Sequence, residues 1–137
     1  MSGWDEKVID EFRRHGGTVT TGGFGRSLVL LHHVGARTGE ERVTPVMALR
    51  PSPDTWLITA SKAGAPENPA WFHNLAAHPD TCIEDPDQGA VEVRAETLEG
   101  EQRDRAWRLF EEASSGFSAY QRRTDRVIPV LILRRRP

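Results

Sequence analysis

The sequence predicts a mainly β fold, an antiparallel sheet closed or half-closed into a small barrel, with helices packed outside it. Three observations predict this. Short runs rich in Val, Ile, Leu, Thr and Trp recur between turn-forming residues, as strands do. These runs are joined mostly by hairpin-like turns rather than by regular crossover helices, which favours antiparallel pairing. The chain has 137 residues, a length that suits a single domain over 1–137, since one core holds roughly 100–200 residues.

An N-terminal helical segment over 1–16 comes first, with Trp4, Val8, Ile9 and Phe12 at helical spacing, and Gly16-Gly17 closing it. Thr18 to Gly25 is rich in glycine and threonine and reads as a loop. Its Gly22-Gly23-Phe24-Gly25 run is a turn signal and a weak phosphate-binding signal. Ser27–Val34 and Arg42–Leu49 form a hairpin across the turn Gly35-Ala36-Arg37-Thr38-Gly39. Pro45 cannot donate to a ladder, so a bulge or a sheet edge is expected there. Pro51–Asp54 is a turn, and Thr55–Ala60 the third strand.

Ser61–Pro69 is a polar loop, with Asn68 as the expected cap of a helix over Pro69–Ala77 that His78-Pro79 stops. Two strands follow, Thr81–Glu84 and Ala90–Thr97, split by a turn at Asp85–Gly89. Glu101–Ala113 is strongly helical, with Ala106, Leu109, Phe110 and Ala113 as its apolar stripe. A short irregular or helical piece carries Phe117 and Tyr120, Ile128–Leu133 is the last strand, and the basic tail Arg134-Arg135-Arg136 is expected to be solvated.

Composition excludes several functions. The net charge of −2 argues against a nucleic-acid partner, which selects a basic excess. The single cysteine, Cys82, can form no internal disulfide, and a reducing compartment follows. No apolar run approaches the roughly 20 residues that cross a bilayer, and the acidic start lacks the pattern of a secretion signal. The expected location is cytoplasmic, with membrane association at the periphery compatible but not required. No metal site is expected: His32 and His33 are adjacent in a strand and point to opposite faces, and His73 and His78 are out of helical registry for one ligand pair. No serine lies in a nucleophile-elbow context.

Three polar segments remain: Gly35–Gly39 with Arg42 and Thr44-Pro45, then Ser61–Pro66, then Pro69–Leu75. Each joins small residues to one or two polar donors. Small residues let a ligand reach the backbone, Arg37, Arg42 and Lys62 can neutralise an anion, and Trp71 offers a flat apolar surface. The segments suit an anionic, partly aromatic small molecule. From the residues alone a second reading stands, namely ordinary hairpin turns and a core tryptophan.

Taken as ordered motifs, Leu30–Gly39, Arg42-Val43-Thr44-Pro45, Ala60–Pro66, Pro69–Leu75, His78-Pro79, and Tyr120-Gln121 followed by Thr124–Val130 resemble the deazaflavin-dependent nitroreductase family. The resemblance covers about residues 26–133. It implies a split β-barrel and the 8-hydroxy-5-deazaflavin coenzyme (coenzyme F-420), whose phosphate and oligoglutamate tail extends from the ring. It implies an oxidoreductase of actinobacterial type that transfers hydride from the reduced coenzyme to a quinone-like or other conjugated or nitro acceptor, working as a monomer or a homodimer.

Residue by residue, Arg37, Thr38, Arg42, Thr44 and Pro45 match the segment that binds the tail and phosphate. Ser61, Lys62, Ala63, Gly64 and Ala65 match the loop that wraps the phosphate and ring edge through backbone N–H groups. Pro69, Trp71 and Asn74 match the helix start bordering the coenzyme. Tyr120 matches the last tyrosine of a lid-like run. Ser61 and Tyr120 are the candidates to donate to the acceptor oxygen as charge develops there.

The chain departs from the family where Ala63 stands in place of a common glycine, where Glu40-Glu41 replace neutral residues, and where Phe72 replaces a tyrosine. Met47, Ser114 and Phe117 stand where nitroimidazole-reducing members carry tyrosine. Two alternatives are a non-catalytic deazaflavin carrier and a split barrel that binds FMN or haem instead.

Overall fold

The computed structural model describes residues 3–137, so the first two positions of the predicted N-terminal segment lie outside the described residues. Seven strands form one antiparallel sheet: β1 (Leu28–Val34), β2 (Glu41–Met47), β3 (Leu49–Ser52), β4 (Thr55–Thr59), β5 (Asp80–Asp85), β6 (Gly89–Thr97) and β7 (Val130–Arg135). Four helices accompany them: α1 (Gly3–Arg14), α2 (Ala70–Ala77), α3 (Gly100–Ala113) and α4 (Ser115–Arg122). The spatial order is β2-β1-β5-β6-β7-β4-β3.

That order forces curvature. β2 and β3 are the two edges of the sheet, yet only Ala48 separates them in the chain. The sheet must therefore curl until its edges meet, which gives the expected split barrel. The predicted single strand Arg42–Leu49 is thus two strands that turn a corner at Ala48, whose N–H donates to the Ser27 carbonyl at 2.9 Å. Pro45 pairs with Leu30 in unbroken register on edge strand β2, so the edge expectation holds. Pro51 and Ser52, predicted as turn, extend β3.

Alternation along the strands builds three layers of core. Val29 and Leu31 point into the barrel with Trp56, Ile58, Ile83, Val93 and Leu133, and α2 closes one end of it with Trp71 and Leu75. The opposite face of β1, Leu28 and Leu30, is covered by Val8, Ile9 and Phe12 of α1. Leu57 and Val130, on the outer face of β4 and β7, are covered by Ala106, Trp107 and Phe110 of α3 and Phe117 of α4. Each fully buried aliphatic or aromatic side chain contributes about 2 kcal/mol.

Two expectations shift in phase. In α3 Trp107 takes the buried position and Leu109 is exposed, and Trp4 of α1 is exposed rather than packed. Ala106 and Phe110 keep their predicted places, while Trp107 is buried instead of Leu109 and Ala113, because α3 packs on both β7 and α4. Arg134 and Arg135 belong to β7, where they are exposed yet paired with Glu96 and Asp54.

Asp85 ties the barrel across its interior. Its buried carboxylate accepts from Trp56 Nε1 and Arg50 Nε at 2.9 Å each and from the backbone N–H groups of Asp87 and Gln88. Burial alone would raise its pKa; these four donors and the Arg50 charge together hold it below the ordinary value. Gly17 marks a second close approach. It has φ +99°, and a Cβ there would lie 2.5 Å from Pro86 Cα.

Candidate active site

A groove runs along the barrel end between the β1–β2 hairpin, α2, and the loop after β4. Its first section, about 550 Å³, is lined by Gly35, Ala36, Arg37, Thr38, Arg42, Ala70, His73 and Asn74. The middle section, about 480 Å³, shares Arg42 and Ala70 with it and adds His33, Glu40, Glu41 and Val43. The last section, about 490 Å³, shares Asp5, Thr44 and Trp71 with the middle and adds Ser61, Lys62, Pro69, Phe24, Met47, Phe117 and Tyr120 among others. Shared wall residues make these adjoining sections of one groove, with a cationic polar end and an aromatic end. Of the site residues expected from the three polar segments, Arg37, Thr38, Arg42, Thr44, Pro45, Ser61, Lys62, Pro69, Trp71 and Asn74 line it, together with Tyr120.

The polar end is cut into a rigid frame. Asn74 Oδ1 accepts from the Ala36 N–H at 2.9 Å, so its NH₂ is the group that faces His33 Nδ1, also at 2.9 Å. His33 Nδ1 therefore accepts, its proton sits on Nε2, and Nε2 donates to Thr44 Oγ1 at 2.9 Å. Thr44 receives that bond, which leaves its own O–H as a donor. His33 is 4% exposed. Burial, then the Arg42 and His32 charges, push its pKa down to about 4, so it is neutral at pH 7. Asn74, expected to border the coenzyme, lines the groove while its side chain bolts α2 to the hairpin turn. His32, on the other face as alternation requires, pairs with Glu84 at 2.8 Å.

The aromatic end is held by a loop and a helix. Ser61 precedes a one-turn 3-10 helix over Lys62–Gly64, and its hydroxyl makes no capping bond. Lys62 has φ +44°, a left-handed conformation that an L-residue keeps only when its surroundings impose it. Its Nζ pairs with Glu67 at 2.7 Å, an exposed pair. The bridge lowers the Glu67 pKa, but screening by solvent leaves it weak. Gly64 has φ +80°, and a Cβ there would come within 2.6 Å of the Tyr120 carbonyl. Tyr120 packs edge-on against Phe117 with ring centroids 5.7 Å apart.

Gly64, an expected coenzyme contact, is buried against Tyr120 and shapes the groove wall, and the Ala65 carbonyl accepts from Arg126 at 2.9 Å. Ala63 sits between Lys62 and Gly64 in the same turn. The expected capping role of Asn68 is replaced: Pro69 occupies the cap position of α2 without a side-chain bond, and Asn68 Oδ1 accepts from Arg126 at 2.8 Å.

Several groove residues escaped the sequence reading. Asp5 and Phe24 reach the groove from elements read only as amphipathic helix and turn. In the sequence His33 stands out only as a candidate metal ligand, although strand alternation already directs it inward beside Thr44. Glu40 sits 3.6 Å from Arg42 and offsets part of its charge. Among the described residues no group of three or more His, Cys, Asp or Glu side chains could hold a metal ion.

A family described as F420H(2)-dependent quinone reductase matches residues 4–135. An F420H(2)-dependent quinone reductase of Mycobacterium tuberculosis is 38% identical over 110 residues, which span 79% of this chain and 73% of that protein. The solved structure of an F420-H2 dependent reductase superposes with a TM-score of 0.70 at 37% identity, covering 79% of this chain and 94% of the other. A solved domain-swapped dimer superposes at 0.72 with 34% identity, covering 93% of this chain and 97% of that one.

Proposed function

The chain belongs to the F420H(2)-dependent quinone reductase family, and from that premise we propose that its groove holds the deazaflavin coenzyme with the anionic tail toward Arg37 and the ring toward Tyr120. The observation that carries this reading is the polarity of the groove. Arg37, Arg42 and Thr38 mark one end, and Trp71, Met47, Phe24, Phe117 and Tyr120 mark the other. A long ligand with a charged handle and a flat apolar head fits that sequence of surfaces. The family disfavours the carrier, FMN and haem alternatives.

When bound, the reduced coenzyme supplies a hydride, and the acceptor is a quinone. The chain contributes position and electrostatics. Arg37, Thr38 and Arg42 hold the tail, and the O–H of Thr44, freed by the His33 bond, donates to an acceptor atom of the coenzyme. The Ser61–Ala65 turn with Lys62 holds the phosphate, and Pro69 and Trp71 supply a flat wall. Met47, Phe24 and Phe117 exclude water from the acceptor end. Ser61 and Tyr120 each donate a hydrogen bond to the acceptor oxygen, stabilising the charge that develops there.

No helix among the described residues is long and apolar enough to cross a membrane. A reducing cytoplasm suits the free, half-buried thiol of Cys82. We assign a pair of identical subunits as the working assembly, in line with the dimeric relative. The test of function mixes the protein with reduced coenzyme and menadione and follows the visible absorbance of the ring. Oxidation well above the protein-free rate is expected. No acceleration across several quinones overturns the proposal.

A further inference from the structure

Arg126 lies outside the groove lining, yet it holds the loop that forms the groove wall. Its guanidinium donates to the carbonyls of Ala60 at 3.1 Å, Ser61 at 2.8 Å and Ala65 at 2.9 Å, and to Asn68 Oδ1 at 2.8 Å. All four acceptors are neutral, so the cation's charge is not cancelled by direct contact. Burial lowers its pKa from the usual arginine range while Glu67 partly restores it, and it stays a cation. The backbone carbonyl of Arg126 accepts from Gln121 Nε2 at 2.8 Å. One residue therefore connects the loop after β4 to the helix that carries Tyr120.

The peptide unit is planar and trans, so its C=O and N–H point opposite ways. Drawing the Ala60 and Ser61 carbonyls toward Arg126 turns the N–H groups of Ser61 and Lys62 to the other side of the turn. The Ala65 carbonyl belongs to the peptide bond before Pro66 and so adds no N–H, but two successive N–H groups on the opposite side are the usual basis of an anion-binding backbone concavity. Resting on the coenzyme reading above, we propose that Arg126 is the positioning residue of this loop: it orients the Ser61 and Lys62 N–H groups toward the anionic part of the coenzyme and couples the loop to α4. It need not touch the coenzyme. Its action goes through the backbone it holds.

The experiment compares the full-length protein with Arg126→Gln and Arg126→Lys. Coenzyme affinity is read by calorimetric titration, and hydrogen exchange is read at the Gly64 and Ala65 amides that close the turn. Arg126→Gln is expected to weaken the coenzyme by about tenfold or more, since several charge-assisted bonds are lost. It should also speed exchange at both amides in the protein without coenzyme. Arg126→Lys, which keeps the charge but not the planar fork, should recover only part of the affinity. Guanidinium chloride at non-denaturing concentration should restore affinity to Arg126→Gln more than equal sodium chloride does.

A merely structural arginine would lower the melting temperature without that specific rescue. Wild-type binding with unchanged affinity in both variants overturns the role of Arg126 alone. Faster exchange with unchanged affinity does the same. Absence of coenzyme binding by the wild-type protein overturns the coenzyme reading and this assignment together.

Discussion

The two walls of the groove are built on opposite physical plans. The hairpin–α2 wall is held by a neutral chain of hydrogen bonds through Ala36, Asn74, His33 and Thr44, buried at its Asn74–His33 centre. The loop–α4 wall is held by a cation, Arg126, on backbone carbonyls and by the close approach of Gly64 to Tyr120. A neutral network in a low-dielectric site is rigid, and it fails when one member gains a charge. A loop gathered on one arginine is less deeply buried and fails when the chain is crowded or the cation removed. Under the proposed coenzyme orientation, the rigid first wall would hold the tail and the second would admit the acceptor.

The largest effect expected from breaking this contrast is at Gly64. Alanine there meets a backbone atom, not a flexible side-chain tip, and must hold φ +80°. The combined strain should cost about 2–4 kcal/mol of stability. Turnover should fall beyond what stability explains, because the displaced atoms belong to Tyr120. Urea unfolding and quinone reduction by Gly64→Ala measure both. A loss near zero would mean that the loop and α4 separate freely.

The other wall responds to acid. His33 has its pKa depressed from 6.5 to about 4 in the fold. Above pH 6.5 both folded and unfolded states are neutral at this residue, so the stabilisation is complete there. As pH falls from 6.5 toward 4 the unfolded chain binds a proton that the folded one refuses, and stability is lost. Between pH 7 and pH 5 this amounts to about 2 kcal/mol. Below pH 4 the folded protein protonates too, and His33 Nδ1 then confronts the Asn74 NH₂ as a second donor. Urea midpoints of wild type and His33→Gln across pH 7 to 5 should converge as pH falls. Parallel curves would remove His33 from the acid response.

At the acceptor end the expected change is kinetic. Tyr120→Phe keeps the ring and its contact with Phe117 but removes one donor. The quinone reduction rate should drop about tenfold with coenzyme affinity unchanged, less than for a sole oxyanion donor because Ser61 faces the same space. Equal rates would leave Tyr120 a packing residue only.

What the sequence exposes and hides follows the same division. The strand runs, the edge position of Pro45 and the three polar segments are local signals, and they survive in the structure. The corner at Ala48 carries no turn residue: Met47-Ala48-Leu49 continues an apolar run, and only the meeting of the two sheet edges bends it. Arg126 is hidden for a related reason, since its acceptors lie 58 to 66 residues earlier. It lies within the Thr124–Val130 motif of the family resemblance, but nothing local shows that it reaches back to hold the loop after β4. The inward direction of His33 is readable from alternation, but its bond to Asn74 spans 41 residues and depends on how α2 closes the barrel. Asn68 has a helix-capping sequence context, and a stronger, charged donor takes its oxygen.

The smallest expected effect separates charge from geometry on the loop–α4 wall. Lys62 and Glu67 form an exposed ion pair, so an anion in the groove competes with Glu67 for the ammonium. Lys62→Ala should weaken the coenzyme severalfold at low salt, about 1 kcal/mol, and the gap should close as salt screens the contact. Glu67→Gln should act the other way, strengthening binding by about twofold, because the lysine no longer has a competing partner. Neither change should alter exchange at Gly64 or Ala65, because Arg126 still gathers the carbonyls. If Lys62→Ala leaves affinity intact at low salt while Arg126→Gln reduces it, the loop recognises its anion through backbone N–H groups, and Lys62 only decorates the rim.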